Sequence, residues 1–199
     1  MPMVAIEDLI AKLRRCRQEQ FDEVDDVREV LRGAPVNPES LKRYLNWDRQ
    51  HYTRNLIDKT PLYELLAICW EPGQSSSVHN HHDQMCWMAA PIGRLLVQNY
   101  RVLREDMDSG VCDIEPSDAV EISPLSPTAV DPLKPVHKVY NPVESGARAV
   151  SLHVYSKPFD RCRVYSQEQH KCGEVHLSYT SEFGVLNTNA AQGSHSISD

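Results

Sequence analysis

From about residue 60 onward the chain is a series of short β-forming runs, and this pattern restricts the possible folds more than any other feature. The runs are separated by proline-, glycine- and serine-rich breaks, and they cover residues 62–70, 94–103, 148–155 and 174–180. Short strands at such spacing are typical of antiparallel barrels and sandwiches. We therefore predict a mainly β fold, with an antiparallel β-barrel or sandwich over residues 60–185.

The first 57 residues show helical spacing instead. The apolar face of the first predicted helix consists of Ile6, Leu9, Ile10 and Leu13. Asn37 followed by Pro38 is typical of a helix start. We expect a helical leader over residues 1–57 at one end of the barrel, within a single domain of residues 1–185. Residues 186–199 are polar, and we expect a flexible tail there.

The composition excludes several classes of function. The chain has 199 residues, a net charge of −7 and 41 % hydrophobic residues, so a nucleic-acid partner is not expected. No apolar run reaches the roughly 18 residues of a membrane helix. The first twenty residues lack the pattern of a secretory signal, and we expect a cytoplasmic location.

The six cysteines form no CxxC pair and are expected to be free thiols. Nothing demands an oligomer, and we expect a monomer.

A histidine-rich stretch is the main candidate for chemistry. His79 and His81 are two residues apart, so both imidazoles would project to the same side of a strand. His82 would point to the other side. A third metal ligand should come from another strand, and His137 and His153 are both candidates. Such a set leaves coordination positions open, as catalytic metal sites require.

These residues fall into motifs with a resemblance to a known family. The spacing from Gly73 through His79, His81 and Cys86 to Gly93 resembles the first cupin motif, and His137 with Asn141 resembles the end of the second. More specifically, the chain resembles the cysteine dioxygenases, which are thiol dioxygenases of the cupin superfamily. The further matching segments are residues 52–55, 69–70, 76–78, 151–160 and 181–184. The resemblance covers roughly residues 1–185 and implies a small cupin-type antiparallel β-barrel, or jelly roll, behind an N-terminal helical segment.

The resemblance implies a non-haem Fe(II) centre held by His79, His81 and His137. Three neutral imidazoles leave the metal its full 2+ charge, which favours an anionic ligand such as a thiolate. Zinc also accepts three histidines, so the choice of iron rests on the resemblance. The implied reaction adds both atoms of O2 to the sulfur of L-cysteine and gives cysteine sulfinic acid. That reaction would belong to cysteine catabolism and taurine biosynthesis.

The resemblance also implies roles for the residues around the metal. Arg54 is the expected anchor for the substrate carboxylate, since a guanidinium can hold a carboxylate through two parallel hydrogen bonds. Tyr52 is expected beside it. Tyr155 is the expected catalytic phenol. Ser151 and His153 share its strand face and would orient it through a chain of hydrogen bonds.

Cys86 stands where many cupins carry a glutamate ligand. The resemblance implies instead that it forms a thioether crosslink with Tyr155. Two other functions remain open: the same site could oxidise another small thiol such as 3-mercaptopropionate, or the chain could be a non-catalytic cupin that binds a metal.

Overall fold

A computed structural model describes residues 2–130, 133 and 135–188 of the chain. Helices occupy the beginning of the chain, as the apolar spacing predicts. They are α1 (Ile6–Leu13), α2 (Gln18–Phe21) and α3 (Val24–Arg32), followed by a 3-10 helix at Pro38–Tyr44 and a later one at Val143–Ser145. Ile6, Leu9 and Leu13 of α1 are fully buried, so the predicted apolar face of this helix is confirmed. No helix among these residues is long and apolar enough to cross a membrane.

Strands make up most of the remaining ordered structure, so the prediction of a mainly β fold is confirmed. They are β1 (Thr53–Lys59), β2 (Glu64–Trp70), β3 (Val78–His79), β4 (Met85–Ile92), β5 (Leu95–Asp106), β6 (Val111–Ile122), β7 (Thr128–Ala129), β8 (His137–Tyr140), β9 (Ala149–Ser156), β10 (Arg161–Ser166), β11 (Lys171–His176), β12 (Ser181–Glu182) and β13 (Val185–Leu186).

The strands form two layers. One is a seven-stranded sheet in the order β13-β12-β1-β2-β9-β4-β7, and the other is a closed set in the order β10-β11-β6-β5-β8-β3. The β10–β3 pair closes this second set. Neighbouring strands are antiparallel, except that β12 runs parallel to β1. A closed set of strands leaves no free sheet edge and encloses an interior in which side chains can meet.

Successive side chains of β2 point to opposite faces of the sheet, and both faces are buried. This explains why the sequence of β2 is apolar almost throughout. Leu66, Ile68 and Trp70 face the barrel interior with Tyr155 of β9. Leu65, Ala67 and Cys69 pack on the other face, in the core that includes α1 and α3. A strand that is buried on both faces reads as a continuous hydrophobic run rather than an alternating one.

The boundary expected for the helical leader is wrong. Helical structure ends at Tyr44, and residues 53–57, which we placed in the leader, belong to β1. Asn55 shows the reason, because its side chain is held by Ala67 of β2 and by Ser181 of β12. These partners are distant in sequence, and local spacing therefore carries no sign of them. The other end also differs, since Leu186, placed in the flexible tail, lies in β13. The tail residues 189–199 lie outside the described residues.

Candidate metal centre

Three histidines meet in the barrel interior. His79 of β3 lies directly opposite His137 of β8 in the strand pairing. The ring centroids of His79 and His81 are 5.1 Å apart, and that of His137 lies 4.6 Å and 4.7 Å from them. One ligating nitrogen from each ring lies within 4.8 Å of the others. This is the spacing of a site that could hold one metal ion.

We expected both histidines of the HxH pair to lie on one strand, and this expectation is wrong. β3 ends at His79, and His81 lies beyond it, just before a turn. The backbone nevertheless stays tied to β10, because Asn80 N donates to Arg163 O at 3.1 Å and Asn80 Oδ1 accepts from Arg163 N at 3.2 Å. His81 therefore faces the same interior as His79, while His82 is exposed.

Backbone carbonyls orient two of the imidazoles. His79 Nδ1 lies 2.9 Å from Ser77 O, and His137 Nδ1 lies 3.1 Å from Pro135 O. A carbonyl oxygen only accepts, so each Nδ1 must carry the proton and donate. The lone pair of each Nε2 is then free for a metal, which is the usual arrangement of metal-binding histidines.

Several nitrogens of the three rings lack partners in the protein. Both ring nitrogens of His81 and Nε2 of His137 are buried without a hydrogen bond. Such groups are costly to leave unpaired. A metal ion at the centre of the three rings would satisfy one nitrogen from each of these two histidines, so the residues present fit a metal.

Burial also favours the neutral form of all three rings. It lowers the pKa of His79 to about 4 and that of His137 to about 3. The pKa of His81 falls well below its ordinary value, because burial and the neighbouring histidines both disfavour a positive charge. Imidazole must be neutral to bind a metal, so near neutral pH these side chains are ready to act as ligands.

His153 belongs to a different arrangement, a hydrogen-bonded chain on β9. Trp70 Nε1 donates to Ser151 Oγ at 2.9 Å, Ser151 Oγ lies 2.8 Å from His153 Nε2, and His153 Nδ1 lies 3.0 Å from Tyr155 Oη. Both nitrogens of His153 are thus occupied, which removes it as the third metal ligand. Two tautomers of His153 fit these distances; in the one in which Ser151 Oγ donates to His153 Nε2, His153 Nδ1 donates to Tyr155 Oη. The phenol proton of Tyr155 is then free to point at a ligand.

Tyr155 lies against the metal centre. Its ring centroid is 5.0 Å from that of His81 and 5.0 Å from that of Phe159. Burial, together with the nearby Cys86, raises its pKa well above the ordinary value. The hydroxyl is therefore protonated near neutral pH and can donate a hydrogen bond.

Cys86 lies directly opposite Tyr155 in the pairing of β4 with β9. The thiol is fully buried, and its Sγ is 4.0 Å from His153 Nδ1. Burial raises its pKa well above the ordinary value, so it is a neutral thiol. Among the described residues it is not part of the group that could hold a metal.

Arg54 brings a cation to the same interior. Its Nε and Nη2 are buried without a hydrogen-bond partner. Burial alone would lower its pKa, but Tyr155, Tyr52 and Glu64 act in the opposite direction and raise it. Tyr52 is fixed by stacking on Trp70, with ring centroids 4.7 Å apart. Two free N–H groups in this setting are suited to a carboxylate.

The sequence analysis missed one charged residue of the interior. Glu64 is fully buried, and its Oε2 accepts a hydrogen bond from the Tyr179 hydroxyl. A glutamate inside the apolar run of residues 62–70 was the available signal, because charged side chains are almost never fully buried unless they are paired.

The fold and the site together define a β-barrel with a candidate three-histidine metal centre. The family model described as Cysteine dioxygenase type I matches residues 3–168, and the chain belongs to that family. Cysteine dioxygenase type 1 of Danio rerio is 28 % identical over 180 residues, covering 90 % of this chain and 88 % of the relative. The human protein of the same name is 27 % identical over 203 residues, covering 94 % and 92 %.

Matches among solved structures were also found. One, from Klebsiella pneumoniae, is described as an uncharacterized conserved protein with a double-stranded beta-helix domain. It is 17 % identical, with a TM-score of 0.38, and the match covers 59 % of this chain and 81 % of that one.

Proposed function

We propose that the protein is an iron-dependent dioxygenase that adds both atoms of O2 to the sulfur of L-cysteine and gives cysteine sulfinic acid. Membership of the cysteine dioxygenase family supports a dioxygenase. The observation that carries the proposal is that two kinds of side chain, histidine and arginine, have unsatisfied nitrogens in the same interior. Imidazole nitrogens of His81 and His137, which could bind a metal, and guanidinium nitrogens of Arg54, which could bind a carboxylate, are buried without partners.

His79, His81 and His137 would hold the iron. Bound there, Fe(II) would supply the redox-active centre at which a thiolate and O2 react. The three ligands carry no charge, so they leave the substrate thiolate as the charge-neutralising partner. The protein's own contribution is to hold the rings in place, through the carbonyls of Ser77 and Pro135.

Arg54 would position the substrate. Two parallel hydrogen bonds to the carboxylate set its orientation as well as its affinity, and they turn the thiol end of cysteine towards the histidines. Tyr155 would donate its free phenol proton to the bound substrate or to oxygen, held at the correct angle by the Trp70–Ser151–His153 chain. Positioning of this kind is the main way in which a protein accelerates cofactor chemistry.

Metal analysis combined with oxygen uptake tests the function. Protein loaded with Fe(II) should consume O2 when L-cysteine is added, and the zinc form should not. His81→Ala should lose both the iron and the activity, while His176→Ala, which changes an exposed histidine, should keep both. Bound metal without thiol-dependent oxygen uptake would indicate a non-catalytic metal-binding cupin. Equal turnover of 3-mercaptopropionate would show a broader substrate range.

We further propose that Cys86 and Tyr155 become joined by a thioether bond. Sγ would bond to a Cε ring carbon, ortho to the hydroxyl, with loss of the thiol and ring hydrogens, and the two electrons and two protons would pass to O2. Their direct opposition across β4 and β9 supports this pairing.

Intact mass measurement checks the crosslink. The crosslinked chain should be lighter by two hydrogen atoms, and the lighter form should be absent from Tyr155→Phe and Cys86→Ser. Tyr155→Phe should also slow turnover, because the phenol proton is lost. A fully active wild type with no lighter form would show that Cys86 remains a free thiol.

A further inference from the structure

Glu64 is a buried carboxylate that has no role in the proposed binding of the metal or of the substrate carboxylate. In the strand pairing it lies directly opposite Tyr155 of β9 on one side and Lys59 of β1 on the other. Directly opposed residues of neighbouring antiparallel strands project to the same face of the sheet. The side chain of Glu64 therefore shares the interior face with Tyr155.

Only one oxygen of this carboxylate is satisfied. Oε2 accepts from the Tyr179 hydroxyl and lies 3.8 Å from Lys59 Nζ. Oε1 is buried and has no hydrogen-bond partner. A carboxylate oxygen can only accept while ionised, so what Oε1 lacks is a donor. Burial raises the pKa of Glu64, whereas Tyr179, Arg54 and Lys59 oppose that rise and favour the anion.

Arg54 lacks acceptors in the same region. Its backbone is bonded to Thr180, the residue after Tyr179, and its side chain interacts electrostatically with Glu64 and Tyr155. Yet no ion pair or hydrogen bond joins Arg54 to Glu64 in the part of the chain that the structure describes. Two buried groups of opposite charge thus each keep unused hydrogen-bonding capacity instead of neutralising one another.

A ligand that satisfies both groups must carry an acceptor and a donor on one small framework. An α-amino acid does so, because its carboxylate and its amino nitrogen are attached to the same carbon. The amino nitrogen carries N–H groups whether or not it is protonated. We propose that Glu64 Oε1 accepts a hydrogen bond from the substrate's amino group, so that Glu64 and Arg54 together select α-amino thiols. This inference rests on the proposed thiol dioxygenase function and adds a residue that determines its specificity.

Two analogues of cysteine test the carboxylate contact with Arg54 and the amino contact with Glu64 one at a time. 3-Mercaptopropionate keeps the carboxylate but has no amino group, and it would leave Oε1 of Glu64 unpaired in the complex. Cysteamine keeps the amino group but has no carboxylate, and it would leave Arg54 unpaired. A buried group left without its partner disfavours the complex strongly. The site should therefore favour L-cysteine over both analogues.

Glu64→Gln is the direct test. Glutamine has nearly the same shape and still accepts from Tyr179, but it no longer offers a charged acceptor at the second position. We expect kcat/KM for L-cysteine to fall at least about tenfold, since a hydrogen bond to a charged group is lost. That for 3-mercaptopropionate should be unchanged or higher. Glu121→Gln, which removes one negative charge at the surface beside Arg94, should behave as the wild type.

Anaerobic calorimetric titration of the iron-loaded wild type gives a second measurement that needs no variant. It should show weaker binding of 3-mercaptopropionate and of cysteamine than of L-cysteine. Equal binding of L-cysteine and 3-mercaptopropionate by the wild type, or an equal loss of activity on both thiols in Glu64→Gln, would overturn the assignment of Glu64. Failure of the iron-loaded wild type to oxidise either thiol would instead overturn the proposed function, while the same titration with Glu64→Gln still decides the role of Glu64.

Discussion

At the scale of single residues, the interior of the barrel is organised by groups that lack partners within the protein. Arg54 keeps two unpaired N–H groups, and His81 keeps two unpaired ring nitrogens. Native proteins leave few buried polar atoms unsatisfied. The clustering of such atoms at one place therefore marks where ligands complete the structure.

Arg54→Ala should raise KM for L-cysteine by roughly ten- to a hundredfold, because charge-assisted hydrogen bonds to the carboxylate are lost. Arg54→Lys should recover only part of this loss, since an ammonium cannot form two parallel bonds to a carboxylate. Steady-state oxygen uptake measures both. Arg101→Ala is the matched control, as Arg101 is an exposed residue paired with Glu115. An unchanged KM in Arg54→Ala would mean that the carboxylate binds elsewhere.

The histidines of the centre could be predicted from the sequence, but Glu64 could not be assigned a role. Spacing two residues apart places His79 and His81 on one side of any extended backbone, even beyond the end of a strand. The partner of Glu64 is Tyr179, 115 residues away along the chain. No local pattern contains a contact of that kind. Residue type indicated that Glu64 was unusual, and only the fold shows what it faces.

At the scale of elements, one buried acid attaches the first helix to the barrel. Asp58 of β1 accepts two hydrogen bonds from Arg14, which follows α1, and one from the Tyr63 hydroxyl. Strand β1 also carries Arg54. The same strand therefore contacts the helical segment through Asp58 and carries Arg54. The prediction of a helical leader up to residue 57 missed β1, because the pairing of β1 with β2 and β12 depends on distant residues.

The pH dependence of stability should report on Asp58. Burial opposes its ionisation, but hydrogen bonds from Arg14 and Tyr63 hold the pKa of Asp58 below its usual value. A lowered pKa in the folded state stabilises the protein above the unfolded pKa of about 3.9. That contribution is lost as the pH falls through the folded-state pKa.

Asp58→Asn should therefore lower the free energy of unfolding by roughly 1–2 kcal/mol at pH 7, since Tyr63 loses a charged acceptor. Its difference from the wild type should shrink as the pH is lowered below about 4. Urea unfolding at pH 7, 4 and 3 measures this. Asp108→Asn, in the exposed turn between β5 and β6, serves as the control. A difference between Asp58→Asn and wild type that is the same at every pH would show that the charge of Asp58 is not responsible.

At the scale of the whole molecule, the metal centre joins separate parts of the barrel. His79 and His137 come from paired strands, and His81 leads towards β4 in the opposite sheet. A metal ion bound by all three would link two paired strands and the segment that follows β3. Because the unfolded chain does not present these nitrogens together, metal binding should stabilise the folded state alone.

Addition of Fe(II) under anaerobic conditions, at about a hundredfold excess over Kd, should raise the thermal midpoint by roughly 5–10 °C. Chelation should reverse the shift. Differential scanning calorimetry measures it, with His81→Ala as the variant that should not respond. The same shift in His81→Ala would place the metal elsewhere on the chain.

The parallel pairing of β12 with β1 affects how the chain can fold while the ribosome is still making it. Arg54 N donates to Thr180 Oγ1, which lies 126 positions later in the chain. At roughly 5–20 residues per second, a ribosome needs on the order of ten seconds to cover that distance. During this interval the edge of β1 is open, and such an edge can pair with other chains. All three histidines of the candidate metal centre emerge earlier than Thr180, so a nascent chain holds these potential metal ligands before the strand that carries Arg54 is covered.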